Sequence, residues 1–406
     1  MKGIKRQKMD TAEEEPRIVE VRRSSEWYKV HWNNGYTGRY PFVWLRDNCR
    51  CPLCYYPSSK QRCVLLCDID VEMEPESEEI IDNGEELKIY WPDKHVSPFP
   101  SRWLYHNRFD KVQYDSVKDI KPKPWGSEMI NQLPKFDYKK VMEDSRVLRD
   151  CLRSLIVSGI AVLTGAPKEQ GVTEEIGKRV GHLRTTMYGK TFEVLAIASS
   201  SNLAYTTLKL GLHVDLPLYE IPPSIQMLHC IKQCETIGGE SQFCDAMKVT
   251  NDLKESDPEF YDTLTRVKVD FRLRGKDFIP YHYQHARPII ELDEKGEFKA
   301  ISHNNAVRAP YMNIPVEEVK NFYKSLAYLD RKLNDKENMI QFKLKEGEVV
   351  IFNNNRAMHG RSSFRMAQGY DEGKKTRHLE GGYLQWDVVK SAIRLLDEEL
   401  DDITIH

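Results

Sequence analysis

The sequence predicts a mainly β protein with covering helices, an antiparallel sandwich or jelly roll preceded by a small β-rich module. Three observations predict it. Strand-like runs are short, scattered and separated by Gly/Pro turns, whereas a doubly wound sheet would alternate them regularly with helices. Only three stretches carry sustained helical periodicity. Five of the nine cysteines, Cys49, Cys51, Cys54, Cys63 and Cys67, crowd into one stretch, as in a small module stapled by metal.

The elements follow in order. Residues 1–15 read as a disordered tail: the basic cluster Lys2, Lys5, Arg6 and Lys8 runs into Asp10, Glu13, Glu14 and Glu15. No apolar segment follows, so no secretory signal is expected, and the acids are unlike a mitochondrial presequence, which predicts a cytoplasmic protein. Short β-rich pieces fill Ile18 to Trp32, and Asn33-Asn34-Gly35 turns the chain into a hairpin strand, Tyr36 to Trp44. The acidic run Glu72 to Glu79 reads as a solvated loop, and Glu86 to Trp91 as a strand. Lys121-Pro122-Lys123-Pro124-Trp125 cannot be helical and reads as linker, so the organisation expected is a module over 16–100, a linker over 101–130 and a core over 131–406.

In that core, Val141, Val147, Leu148, Cys151, Leu152, Leu155 and Ile156 predict one helix ending at Gly159, followed by a strand from Ile160 to Thr164. Further strands are expected at Ile225 to Cys230, Val267 to Leu273, Ile289 to Leu292, Met339 to Phe342, Val349 to Asn353 and Gly381 to Trp386. Amphipathic helices are expected at Val316 to Leu333 and Val388 to Leu400.

Charge excludes several function classes. With 60 Lys+Arg against 62 Asp+Glu the net charge is -2, so no global field draws the chain to nucleic acid or to an anionic membrane. Mean hydropathy is -0.59, and the most apolar stretch, Leu155 to Leu163, is far short of a span.

His213-Val214-Asp215 places two metal-ligand types at i and i+2, which on extended backbone share a face about 7 Å apart. The motif alone is weak: 12 histidines and 62 acids in 406 residues give about two chance matches, and His378-Leu379-Glu380 is a second. The order of the remaining residues strengthens it. His359 follows the strand-like Val349 to Asn353, and Arg377 comes on a strand beyond. Two imidazoles and a carboxylate on one face of Fe(II) leave three positions open, two for a chelating 2-oxo acid and one for water or O₂. Arg377 would supply a planar, bidentate donor for the far carboxylate of 2-oxoglutarate. Spacing alone leaves open that His359 is a satisfied core histidine and that Arg377 pairs with an acid. Elsewhere Cys49-x-Cys51-x2-Cys54 offers three thiolates to a tetrahedral zinc; Cys63 competes for the fourth place, and a disulfide is the alternative.

Trp44-Leu45-Arg46-Asp47-Asn48-Cys49-Arg50-Cys51, Trp91-Pro92-Asp93, Tyr205-Thr206-Thr207, His213-Val214-Asp215-Leu216-Pro217, His229-Cys230-Ile231-Lys232, Met358-His359-Gly360-Arg361 and Arg377-His378-Leu379-Glu380-Gly381-Gly382-Tyr383 resemble the γ-butyrobetaine dioxygenase and trimethyllysine dioxygenase family, over about residues 16 to 400. The resemblance implies a double-stranded β-helix (jelly roll) core with a small zinc-bearing N-terminal domain. It implies His213, Asp215 and His359 as iron ligands, Arg377 as the 2-oxoglutarate anchor, and Cys49, Cys51, Cys54 and His95 as zinc ligands. Fe(II), 2-oxoglutarate as cosubstrate, ascorbate and structural Zn(II) are the implied cofactors. The implied partners are O₂ and a small quaternary ammonium substrate, in a homodimer.

A trimethylammonium head has no N–H to donate, so aromatic faces must hold it. Tyr188, Phe192, Tyr205 and Tyr383 stand at the family's cage positions, Phe192 where Trp is usual, and Asn202 and Asn304 at positions that bind the substrate carboxylate. The activity implied is hydroxylation of γ-butyrobetaine at C3 to L-carnitine, coupled to decarboxylation of 2-oxoglutarate to succinate and CO₂. The alternatives are N6-trimethyllysine hydroxylation and a non-catalytic zinc-containing interaction protein.

Overall fold

The structure is a computed structural model that describes residues 15–109, 115–195, 208–234, 237–364 and 377–401. The chain divides into two units, one up to Tyr114 and one from Asp115 onward.

The first unit is built on two three-stranded antiparallel sheets, Ile18–Arg23, Trp27–Trp32 and Thr37–Pro41 in one, Ser77–Ile81, Glu86–Tyr90 and Val96–Pro100 in the other. Alternation selects the core: Tyr28, Val30 and Trp32 point inward from one strand and Leu87 and Ile89 from another. The buried indoles of Trp32 and Trp91 donate to Ser101 Oγ at 3.0 Å and Ser97 Oγ at 2.9 Å, so neither carries an unpaired N–H.

Three expectations change here. The strand drawn from Tyr36 to Trp44 stops at Pro41, and Phe42–Asp47 is helical, because Phe42 and Leu45 one turn apart both reach the core. The acidic run is loop only at its start, since Ser77–Ile81 pairs with Glu86–Tyr90. Residues Ser101–His106, at the start of the expected linker, form a helix that buries Leu104.

In the second unit the larger sheet has six strands in the order Thr191–Leu195, His378–Leu384, Ile225–Lys232, Val349–Asn353, Ile160–Thr164, Lys135–Asp137, antiparallel except for the last pair. The smaller sheet runs Leu210–His213, Ala357–Arg361, Ser241–Asp245, Met339–Phe342. One apolar cluster takes Val162, Val350, Phe352 and Leu379 from the first sheet and Phe243, Ile340 and Ala357 from the second, so the two pack face to face as a jelly-roll sandwich. Helices Ser145–Val157, Val172–Val180 and Trp386–Asp401 cover the outer face of the larger sheet against Ala161, Met227 and Ile351.

Sequence and structure differ at three places in this unit. The single helix expected from Val141 to Ile156 is two, Tyr138–Glu143 and Ser145–Val157, because Asp144 caps the second by accepting from Arg146 N and Val147 N. Gly159, at φ +73, ends it as expected. The strand expected to reach Trp386 stops at Leu384, and Trp386 opens the last helix. The segment 121–125 is extended but docked: Trp125 is buried, its indole donates to Ser158 O at 2.6 Å, and its N–H donates to Asp245 Oδ2. Asp245 in turn accepts a bidentate pair from Arg356 at 2.9 and 2.7 Å, and Arg356 also donates to Lys123 O, so a buried ion pair pins the segment to the smaller sheet.

Helices Ala246–Ser256, Pro258–Arg266 and Val172–Val180 and strands Thr191–Leu195, Leu210–His213, Ser241–Asp245, Pro280–Pro288 and Ala357–Arg361 had no sequence expectation. Among the described residues no helix is long and apolar enough to cross a membrane.

Candidate active site and zinc centre

Strand register assembles a group of side chains that could hold a metal ion. His213 ends its strand directly opposite His359, in the middle of Ala357–Arg361, which brings the rings to 4.2 Å between centroids. Asp215 follows beyond the strand, and its Oδ1 lies 3.3 Å from His213 Nε2 and 3.9 Å from His359 Nε2. One ligand atom from each of the three lies within 4.8 Å of the others.

The surroundings prepare these groups. His213 Nδ1 donates to Gly211 O at 2.9 Å, which sets the tautomer that leaves Nε2 as a lone-pair donor. Burial, then the charge of His213, pushes His359 down to about 3, so it is neutral as a ligand must be. Burial pushes Asp215 up, but the hydrogen bond from His213, the nearby imidazoles and the Tyr383 hydroxyl outweigh it and hold the carboxyl well below the usual range. For His213, burial works downward, yet the hydrogen bond and charge of Asp215 raise it overall. The donor set fits a divalent first-row metal.

Backbone placement is equally specific. Asp215 N–H donates to Asn354 Oδ1 at 2.7 Å, and Asn354 Nδ2 returns a bond to Asp215 O at 2.9 Å and to Pro223 O at 3.0 Å. Asp215 Oδ2 accepts from Gln226 Nε2 and from the Tyr383 hydroxyl, each at 2.8 Å. None of this was read from the sequence. A signal for Gln226 is present in the sequence, a polar side chain inside an apolar strand, whereas Asn354 lies in a run of three asparagines that carries none.

Arg377 is the residue just before the strand His378–Leu384 rather than a member of it. It is 4 % exposed, and its Nε has no hydrogen-bond partner among the described residues. Burial lowers its pKa, and among the described residues the groups that oppose this are the thiols of Cys230 and Cys234. Arg361, two residues beyond His359 and so on the same face about 7 Å along the strand, is also buried; burial and then Arg377 push it down to about 10. Two buried guanidiniums within one another's field, close to the His359 strand, make a site that favours an anion.

Three of the four aromatic residues, Tyr188, Phe192 and Tyr383, gather beside His213, Asp215 and His359. Phe192 stacks on Tyr383 with centroids 5.2 Å apart at 27°, and Tyr188 meets Phe192 at 5.8 Å. Gly381, opposite Phe192 in register, leaves room for that ring, since a Cβ there would lie 2.2 Å from Phe192 Cζ. An open cleft of about 660 Å³ flanks Tyr188 and Phe192 and is lined by Glu174, Glu193, Asp277 and Glu380; none of His213, Asp215 and His359 borders it. Asn304 donates to Val214 O at 3.1 Å, between His213 and Asp215. Asn202 and Tyr205 lie outside the described residues.

In the first unit, Cys49, Cys51 and Cys54 are buried, and their Sγ atoms lie 3.2, 3.7 and 3.6 Å from His95 Nε2. Cys63 is exposed and outside the group, and the nine cysteines are free thiols, so neither the competing ligand nor the disulfide is found. Asp93 accepts from His95 N–H at 2.9 Å and pairs with Arg46, which donates to Cys54 Sγ at 3.7 Å. Burial, then Arg46, lowers the His95 pKa and keeps the ring neutral. Three thiols and an imidazole closing on one point match a structural zinc site with no open position.

Comparison with known proteins decides the family. Residues 116–383 match the model of the taurine catabolism dioxygenase TauD, TfdA family, and residues 19–105 match the γ-butyrobetaine hydroxylase-like N-terminal model. The chain belongs to the γ-butyrobetaine dioxygenase-like family of TauD/TfdA dioxygenases. This dioxygenase is 38% identical to "Gamma-butyrobetaine dioxygenase" of Homo sapiens over 379 residues, covering 92% of this chain and 95% of the relative. The protein of the same name from Pseudomonas sp. (strain AK-1) is 29% identical over 90% of this chain and 93% of its own. "Trimethyllysine dioxygenase, mitochondrial" of Bos taurus is 30% identical over 88% and 83% respectively. The enzyme is of the Fe(II)- and 2-oxoglutarate-dependent class.

Proposed function

We propose that this dioxygenase hydroxylates γ-butyrobetaine at C3 to L-carnitine. One oxygen atom of O₂ enters the C–H bond and the other enters succinate as 2-oxoglutarate loses CO₂. The observation that carries the reading is the direct connection of the aromatic stack to the metal-binding group, since the Tyr383 ring packs on Phe192 while its hydroxyl reaches Asp215. A cation held on those faces puts a nearby C–H beside His213, Asp215 and His359.

His213, Asp215 and His359 would hold Fe(II), which supplies the open positions at which the 2-oxo acid and O₂ are activated. The chain's own work is placement. Arg377, with Arg361 beside it, binds the far carboxylate of 2-oxoglutarate in a buried site where a charge-assisted bond is strong. Tyr188, Phe192, Tyr205 and Tyr383 hold the trimethylammonium head by cation–π attraction, Asn202 and Asn304 take the carboxylate end, and the acidic cleft beside Tyr188 draws cations toward it. The complete donor set speaks against a non-catalytic interaction protein. We extend the proposal to a homodimer in the cytoplasm, to be checked by light scattering and by fractionation.

The test is mass spectrometry of protein with Fe(II), ascorbate and 2-oxoglutarate against γ-butyrobetaine and trimethyllysine side by side. A product heavier by one oxygen from γ-butyrobetaine is expected, and oxygen added to trimethyllysine alone would transfer the assignment. An isostere with carbon in place of the quaternary nitrogen keeps shape but loses the cation–π attraction, about 2 kcal/mol when desolvated, so it should bind roughly 30-fold worse. Equal hydroxylation of cation and isostere would sink the carnitine reading.

Arg377→Lys is expected to raise KM for 2-oxoglutarate about 10-fold, the equivalent of roughly 1.5 kcal/mol for a lost charge-assisted bond, with a smaller effect on kcat. Steady-state kinetics at saturating substrate check it. An unchanged KM would move the anchor to Arg361, or to Arg365 outside the described residues.

A further inference from the structure

The two oxygens of Asp215 have different tasks. Oδ1 faces the imidazoles, whereas Oδ2 turns away from them and accepts two hydrogen bonds, from Gln226 Nε2 and from the Tyr383 hydroxyl. An sp² oxygen has two in-plane lone pairs, so two donors satisfy Oδ2. Both donors come from the larger sheet, where Gln226 and Tyr383 are direct cross-strand partners. They are 2 % and 1 % exposed, so neither has water as an easy substitute. The Asp215 backbone is held separately by Asn354, and together these contacts set both the position and the rotation of the carboxylate.

We infer that Tyr383 is a positioning residue for Asp215 as well as a wall of the aromatic cage, and that with Gln226 it restricts Asp215 to one-oxygen coordination. The reason lies in the number of open positions. Three single-atom ligands leave three places on a six-coordinate metal, enough for a chelating 2-oxo acid and O₂ together; a carboxylate binding through both oxygens would leave two. Donors fixed on Oδ2 keep the third place open. The ring face and the hydroxyl of one side chain therefore serve two sites, and their spacing is set by the phenol itself. The ring's part rests on the proposed substrate class, whereas the hydroxyl's part rests on the hydrogen-bond geometry.

Tyr383→Phe separates the two, because it removes the oxygen and keeps the face; Gln226→Met removes the other donor at similar volume. Each full-length variant, stripped of iron, would be titrated with Mn(II) while the free ion is followed by electron paramagnetic resonance. Thermal melting and the binding ratio of γ-butyrobetaine to its neutral isostere would be recorded alongside. Tyr383→Phe should bind Mn(II) about 10-fold more weakly, the usual cost of losing a hydrogen-bond partner of a ligand, at little change in melting and with the cation preference retained. Gln226→Met should behave alike and the double variant should be weaker than either, whereas Tyr383→Leu should lose the cation preference as well. Parental Mn(II) affinity in Tyr383→Phe overturns the inference, as does a loss matched by an equal loss of melting temperature. Failure of the substrate reading would show instead in the parent enzyme, as a missing cation preference.

Discussion

His359→Ala should abolish turnover while the protein remains folded. His359 stands mid-strand, opposite His213 and against Phe352 at 4.8 Å, so its truncation removes a ligand and leaves a small void in the sandwich. Loss of a partner one shell out already costs metal sites about 10–100-fold, so loss of a direct ligand should leave less than about a tenth of parental activity even with added Fe(II). His213→Ala and Asp215→Ala should do the same for the same reason. Turnover, bound iron and melting temperature would be measured together for each variant. More than a tenth of parental turnover in a folded variant removes that residue from the ligand set; a fall explained by unfolding calls for His359→Gln, which fills the void.

The second large effect is expected in the first unit. Iron-free protein should hold about one equivalent of zinc per chain, as expected of a single closed four-ligand site. In zinc-finger peptides such a site contributes about 10–16 kcal/mol of binding free energy to folding. The effect here should be smaller, because this unit also has a core of Tyr28, Trp32, Leu87, Trp91 and Phe99. Cys51→Ser should release the metal and lower the melting of this unit, and chelation of the parent should reproduce it. The Asp93 and Arg46 contacts remain in that variant, so the loss reports on the metal rather than on the ion pair. Zinc retained by Cys51→Ser at unchanged melting would be decisive against the assignment.

Much of the fold was legible because it depends on local pattern. Alternation along Trp27–Trp32, Asp and Gly at helix ends, and the apolar runs of Val349–Asn353 and Ile225–Lys232 each bury one predictable face. Elements were missed where burial is two-sided. Ser241–Asp245 and Ala357–Arg361 are buried at every position yet contain Gln, Asp, His and Arg, so neither alternation nor apolar composition announces them. Helix and strand also traded places where a tertiary partner outweighed local preference, as at Phe42 and Leu45, drawn into the core of the first unit.

For the site, the sequence by itself determined the chemistry: which residues can ligate, that they come as His-x-Asp then His, that three thiols share a tight turn, and that an arginine follows. Those properties reside in side-chain identity and short spacing, which no fold can alter. Only the tertiary structure decided the geometry. It brought His359 across from His213 over an interval of 146 residues and chose His95 over Cys63. It also turned Oδ1 rather than Oδ2 of Asp215 toward the imidazoles, by supplying Gln226 and Tyr383 from the opposite sheet. Such contacts are set by strand register and sheet packing between distant segments, and a residue's sequence neighbours carry no record of them.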